Sequence, residues 1–210
     1  FVYFLERRGQ GLFLRASPVD VSAIIRELLL DRMRATILTS ATLAVDGSFD
    51  YQRVRLGIRD AIEIRLEPEF DYAKQTVLYL PEEMPEPRAS NFTQAAATEI
   101  AGLLEATRGR AFVLFTSHAN LREVHRLITD SVAFPLLVQG TAPRSVLLRK
   151  FKATPNAVLL ATSSFWQGVD VSGDTLSCVI IDKLPFATPD HPITAARIQA
   201  ITEGGGNPFA

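Results

Sequence analysis

One cysteine, one tryptophan and two methionines stand among 210 residues, and the charged side chains cancel to a net charge of −1. Each scarcity excludes something. A lone cysteine, Cys178, rules out a disulfide framework and any all-cysteine cluster held by this chain alone. Near-neutrality leaves no overall basic field, so nucleic-acid binding has to rest on local groups. No apolar run is long enough to span a bilayer and no secretory leader is legible, so the expectation is a cytoplasmic protein with no membrane partner. The phosphate-cradling G-x-x-x-x-G-K-[ST] loop is missing, and no Asp-Glu pair follows a strand in a way that would hold magnesium. Neither a metal-ligand cluster nor a nucleophile–histidine pairing is visible. By its own residues the chain is not expected to be a complete enzyme.

What is present is globular. A hydrophobic content of 47% and a charged content of 21% suit a soluble domain, and this length can bury a sizeable core. Residues 1–5 and 12–16 read as a β-hairpin or two edge strands around Glu6 to Gly11. Ser17-Pro18-Val19-Asp20 has the form of a helix start, and Val21, Ile24, Ile25, Leu28 and Leu29 then form one apolar stripe, predicting a helix packed on a sheet. Strands are expected at Ala35–Leu38, Ala61–Leu66 and Thr76–Leu80, and an extended proline-bearing connection at Pro81–Asn91. From Phe92 the pattern is regular. A helix to Thr107, with Ala97, Ile100, Leu103 and Leu104 inward, stops at Gly109. A strand at 111–115, a helix with Leu121, Val124 and Ile128 inward, a strand at 135–138, a helix at 143–151 and strands at 157–160 and 176–181 complete it. Such alternation predicts an α/β fold: a parallel sheet with helices on both faces.

The polar turns at strand ends are where open α/β sheets bind ligands. Thr116-Ser117-His118 precedes a helix and suits a phosphate, although Ser117 serves equally as a plain N-cap and His118 as a solvated side chain. Gln139-Gly140 with Pro143-Arg144, and the basic helix end Arg149-Lys150-x-Lys152, offer positions for a phosphate backbone or simply a solvated face. The stretch from Leu159 to Phe186 is the richest. Thr162 and Ser163 can donate to a phosphate, Asp170 can accept from a sugar hydroxyl, and Phe165 and Trp166 supply either stacking surface or core. Thr39 to Thr42, at the end of another expected strand, reads as small hydroxyl residues satisfying loose backbone groups.

Taken together, these residues resemble a family. Ala161-Thr162 with Gly168-Val169-Asp170 has the spacing of motif V in superfamily 2 helicases, and SFWQGVDVSGDTLSCVIIDKLPF is similar to the DinG and YoaA branch of the XPD-like DNA helicases. Thr39-Ser40-Ala41-Thr42-Leu43 resembles that branch's motif III, and VLFTSHANL, Val113–Leu121, its motif IV. Gln139 with Arg144 and Phe151 resembles the segment after it, and Ser17 to Val21 and Phe70-Asp71-Tyr72 fit the family's run. The resemblance implies the second RecA-like motor domain of an ATP-dependent, 5′-to-3′ DNA helicase, at residues 17–210, with residues 1–16 as a small β extension. It implies contacts from Thr116, Ser117, Arg144, Thr162 and Ser163 to the backbone of single-stranded DNA. Gln167, Gly168 and Asp170 would face the nucleotide cleft, and Ser40, Ala41 and Thr42 would couple hydrolysis to strand movement. Gln167 departs from the glutamate of many relatives. ATP and Mg2+ would be shared with a first RecA-like domain outside this chain, which in the family often carries an iron–sulfur cluster. Repair or replication proteins are the implied further partners. The run Gly204 to Phe209 comes just before the expected arginine-bearing motif VI, so the reading is a fragment that does not hydrolyse ATP alone. The other readings are a non-catalytic RecA-like module that binds single-stranded DNA or a protein, and an RNA-directed motor.

Overall fold

The computed structural model describes residues 1–171, 173–187 and 189–208. Ser172, inside the glycine-bearing loop, and Phe209, at the end of the terminal run, lie outside the described residues. In chain order the elements are β1 (Val2–Arg8), β2 (Gly11–Ser17), α1 (Ser22–Leu28), α2 (Asp50–Leu56), α3 (Tyr72–Gln75), α4 (Phe92–Thr107) and β3 (Ala111–Leu114). There follow α5 (His118–Ile128), β4 (Leu136–Val138), α6 (Arg144–Ala153), β5 (Val158–Ala161), β6 (Cys178–Ile181) and α7 (Pro192–Glu203). They divide into two compact units, Leu78–Phe186 and Phe1–Val77 with Ala187–Ala210.

In the unit built from the two ends of the chain, β1 and β2 pair antiparallel with Arg8 opposite Gly11 and Val2 opposite Ser17. The strands run further toward the turn than expected, since Glu6, Arg7 and Arg8 continue the ladder. Gly9, at φ +60°, makes the reversal without a Cβ penalty. Glu6 receives Arg8 at 2.7 Å and Arg15 at 2.8 Å on one face, and these guanidiniums hold its carboxyl below the usual range. The expected helix start at Ser17 is displaced. Ser17 ends β2, and Asp20 accepts from the Ser22 N–H and hydroxyl at 2.8 and 2.9 Å, so the helix begins at Ser22. Its apolar stripe is not buried: α1 lies beside α2, with Arg26 donating to the Gly57 carbonyl at 2.9 Å, and none of its residues is buried. Strands expected at 35–38, 61–66 and 76–80 do not form. Ile37, Ile62 and Val77 are about nine-tenths exposed. Apolar alternation specifies a strand only where a ladder partner and a buried face exist, and here neither does. α7 opens with Pro192, packs on β1, and brings His191 edge-on to Phe4 at 6.2 Å.

The other unit carries the core. Its sheet runs β4-β5-β3-β6, and every neighbouring pair is parallel, which is the α/β architecture the alternation predicts. β3 and β5 are buried on both faces along their whole length. Their side chains alternate between two clusters. Ala111, Val113, Phe115, Val158 and Leu160 face α4 and α5, meeting Ile100, Leu104, Leu121, Val124 and Ile128. Phe112, Leu114, Leu159 and Ala161 face α6, meeting Leu147, Phe151 and Phe165. Leu103, expected inward, is half-buried because it sits at the margin of the α4 stripe. α4 ends where expected: Arg108 and Gly109 turn left-handed, and the Gly109 N–H returns to the Leu104 carbonyl at 2.8 Å. A Cβ on Gly109 would lie 2.1 Å from the Asn156 carbonyl oxygen. β6 is shorter than expected, beginning at Cys178, and its Val179 and Ile181 face outward.

Phe151 is fully buried with its ring 4.7 Å from that of Phe112. Phe151→Ala is therefore expected to cost about 3–5 kcal/mol of stability, read by urea denaturation. Gly109→Ala should also destabilise, because the left-handed backbone and the Asn156 contact both reject a Cβ.

Candidate functional site

Because all four strands of the sheet run parallel, their carboxyl ends and the residues that follow lie on one edge. Those residues are Gln139 after β4, Thr162 after β5, Thr116 two residues after β3, and Asp182 after β6. Backbone bonds carry the ladder past the named strands: Phe115 N–H to Ala161 O at 2.8 Å, Gln139 N–H to Leu160 O at 2.9 Å, and Asp182 N–H to Leu114 O at 3.1 Å. Three of the expected site segments thus meet on this edge.

The first is the turn from β3 into α5. Ser117, extended at φ −142° and ψ 148°, caps the helix by accepting the Asn120 N–H at 3.2 Å. That bond uses an oxygen lone pair and leaves the hydroxyl hydrogen directed elsewhere. Asp182 lies beneath the turn. One of its oxygens accepts the Thr116 N–H at 3.1 Å and the other accepts from the Asn120 side-chain amide at 3.2 Å. Burial pushes the Asp182 carboxyl up, and the Asn120 and Thr116 hydrogen bonds with the nearby Lys183 charge offset that only in part. Thr116 and His118 are exposed and Ser117 is half-buried. Lys183 Nζ sits 5.1 Å from the centroid of the Phe92 ring.

The second segment follows β5. Thr162 is only 5% exposed and is the buried polar side chain among the described residues. Both of its donors go to one acceptor: the N–H and the hydroxyl meet Gln139 Oε1 at 2.6 and 3.1 Å. Gln139 Nε2 then donates to Ser164 Oγ at 3.1 Å. One glutamine side chain therefore ties β4 to the turn after β5. Ser163, at the start of the short 3₁₀ turn Ser163–Phe165, is exposed.

The third segment is the glycine-bearing loop. Arg144, the first residue of α6, donates through Nη2 to the carbonyls of Gln167 and Gly168, each at 2.9 Å, and its guanidinium lies 5.5 Å from the Phe165 ring centroid. Phe165 is core, 3% exposed, and Trp166 packs half-buried against the same cluster with its indole N–H buried and without an acceptor. Their alternative as an open stacking surface is thereby settled in favour of packing. Gly168 takes φ +65°. Gln167, Gly168 and Asp170 are exposed. Arg149, Lys150 and Lys152 lie on the exposed side of α6.

Ser40, Ala41 and Thr42 belong to the other compact unit and are exposed. Ser40 Oγ accepts the Thr42 N–H at 3.1 Å, a local turn closed by a hydroxyl. Two participants escaped the sequence reading: Asp182, and Asn120 on the first turn of α5. The available signal for Asp182 was its place as the first polar residue after a strand ending at the carboxyl edge. Among the described residues no three His, Cys, Asp or Glu side chains converge as metal ligands. None of its described helices is long and apolar enough to cross a membrane.

Comparison with known proteins adds a second line of evidence. The helicase C-terminal domain family matches residues 100–210. The chain is 38% identical over 209 residues to the ATP-dependent DNA helicase YoaA of Escherichia coli K12, a match covering 100% of this chain and 33% of that protein. It is 37% identical over 200 residues to the ATP-dependent helicase DinG of Mycobacterium tuberculosis H37Rv, covering 93% of this chain and 30% of the relative. It is 35% identical over 204 residues to the protein named 3′-5′ exonuclease DinG of Bacillus subtilis 168, covering 92% and 22%. The chain thus spans a third or less of the length of these relatives.

Gln139→Leu removes the acceptor of both Thr162 donors while keeping side-chain bulk. It should cost about 1–3 kcal/mol in denaturation and raise amide exchange at Thr162. The Cys178 thiol is half-buried, and burial pushes it up despite a hydrogen bond with Thr107. Less of it is thiolate at any given pH, so alkylation by iodoacetamide at pH 8 should be slower than for a free thiol and should rise with pH.

Proposed function

The chain belongs to the helicase C-terminal domain family, in the company of DinG- and YoaA-type helicases, and from that premise we propose that it is the second motor domain of an ATP-dependent DNA helicase. In this reading it grips single-stranded DNA and links that grip to the state of a nucleotide. The observation that carries the reading is the neighbourhood of the Thr116–Ser117 and Thr162–Ser163 turns on the ends of adjacent parallel strands, β3 and β5. Hydroxyl and N–H donors there hold phosphates without touching base edges, so a motor can pass over any sequence.

The division of labour follows from which donors are committed. Thr162 gives both of its donors to Gln139, so its part is to hold the turn, and Ser163, exposed beside it, is the outward donor. Ser117 caps α5 through its oxygen and keeps its hydroxyl hydrogen for a phosphate, with exposed Thr116 beside it. Gln167, Gly168 and Asp170 face the nucleotide cleft in this reading. Arg144 holds that loop by its carbonyls and stands ready as a phosphate contact when the loop moves. Stepping needs contacts that differ between open and closed states, because only a differential interaction shifts the equilibrium. Ser40, Ala41 and Thr42 are proposed to transmit that difference.

ATP supplies the free energy when bound. Magnesium would come with the nucleotide and be shared with a first motor domain. The 5′-to-3′ polarity, the place in superfamily 2 and the division into 1–16 and 17–210 rest on the sequence resemblance, and a cytoplasmic setting is proposed with them. A first motor domain, an iron–sulfur cluster within it, and repair or replication proteins are partners on the same footing. The exonuclease name of one relative is not carried over, because the motifs at 39–43, 161–162 and 168–170 resemble helicase motifs.

The isolated chain should show no ATP turnover above background and weak, salt-sensitive binding to an oligothymidine. In the full-length protein, Ser117→Ala and Ser163→Ala should each weaken single-strand binding by about tenfold, the value of a hydrogen bond to a charged group. Asp170→Ala should abolish unwinding while single-strand binding stays within about twofold of the parent. Full-length protein that binds single-stranded DNA but never turns over ATP would replace the motor with a plain binding module. ATP turnover by the isolated chain would refute the shared-site account.

A further inference from the structure

The residue set implied by resemblance ends the β6 segment without assigning Asp182 a part. Yet its carboxylate joins the end of β6 to the β3–α5 turn, through the Thr116 N–H at 3.1 Å and the Asn120 amide at 3.2 Å. We infer that Asp182 is a positioning residue: it fixes the Thr116–Ser117 turn so that both hydroxyls are presented to a phosphate of single-stranded DNA. This inference rests on the DNA-gripping reading above.

Three observations support it. The two bonds bracket the turn, one at its entry and one on the first turn of α5, so that Ser117 between them has little freedom. The second bond fixes Asn120, whose N–H is the partner of Ser117 Oγ, and so the cap geometry depends on Asp182 through Asn120. The half-buried position works against the charge: the folded chain raises the Asp182 carboxyl above its ordinary value. A carboxyl so raised contributes full stability below its unfolded value and loses it as pH rises through its folded value. Charge on Asp182 therefore works against the fold, and what holds the group in place is its pair of hydrogen bonds to the turn. The charged group acting on it is Lys183, on its own strand end; from the turn and from α5 it meets the neutral Thr116 and Asn120.

The mechanism separates two substitutions. Asp182→Asn keeps an oxygen for the Thr116 N–H, and the Asn120 amide can rotate to present its own oxygen to the new NH2. Asp182→Ala keeps neither bond. In the full-length protein, Asp182→Ala should raise the oligothymidine concentration that half-saturates ATP turnover by roughly tenfold, with turnover at saturating DNA within about twofold of the parent. Asp182→Asn should stay within about twofold on both measures, and it should melt no lower than the parent. The Thr116 amide should lose exchange protection in Asp182→Ala and keep it in Asp182→Asn. Should Asp182→Ala fail to fold, Asn120→Ala supplies the same test, with a smaller rise in half-saturation and Thr116 still protected.

Undiminished Thr116 protection in Asp182→Ala would overturn the inference. So would unchanged or tighter DNA half-saturation, since the carboxylate would then be idle or repelling phosphate. So, too, would equal losses in the alanine and asparagine variants. Ser117→Ala separates the two levels. If it weakens binding and Asp182→Ala does not, only the positioning role falls; if neither does, the DNA-gripping reading of the turn falls with it.

Discussion

The pairing of β3 with β5 is the constraint on which the working edge depends. Ala111 stands opposite Val158 and Leu114 opposite Ala161, and both strands are buried on both faces. A slip of β3 by one residue would exchange its two faces, driving Phe112 into the side shaped for α4 and α5. Register is therefore strongly specified. Since the strands are parallel, their chains leave on the same side, so the turns at Thr116 and Thr162 are neighbours by consequence of the ladder. The chemistry of the edge rides on a purely apolar decision.

Above that ladder, two polar side chains hold the turns. Gln139 gathers the Thr162 N–H and hydroxyl and reaches on to Ser164, while Asp182 gathers the Thr116 N–H and the Asn120 amide. The outer strands of the sheet thus brace the turns of the inner ones, β4 for β5 and β6 for β3. A neutral amide suffices where the acceptor has two donors from one residue. At the other turn a carboxylate accepts from two separate donors and is held at some expense of desolvation. Arg144 adds a third brace, fastening the glycine-bearing loop to the first turn of α6.

Much of the α/β unit was legible because local pattern and global burial agree there. Helical stripes at Leu121, Val124 and Ile128 and apolar strands at 111–114 and 158–161 point to the same sheet from both faces. The resemblance to DinG and YoaA helicases was legible from Val113–Leu121 and Ala161–Phe186, and the match of the helicase C-terminal domain family to residues 100–210 agrees with it. The N-terminal 77 residues were not legible in the same way. Ile37, Ile62 and Val77 have the character of strand residues, yet no ladder receives them in this chain, because alternation gives a preference and not a partner. Ser17 was a plausible cap by type, but the hairpin ladder claimed it first, and Asp20 serves the helix start instead.

By itself the sequence determined the alternation of elements from Phe92 onward, the positions of the polar turns and the family they resemble, because each depends on residues near one another in the chain. The tertiary structure decided which donors on the working edge are outward and which are committed. Thr162 and Ser163 look alike in sequence, and only the arrival of Gln139 from a different strand turns one into a strut and leaves the other exposed. Asp182 lies 66 residues from Thr116, and a contact over that separation is set by strand order, which no local pattern encodes.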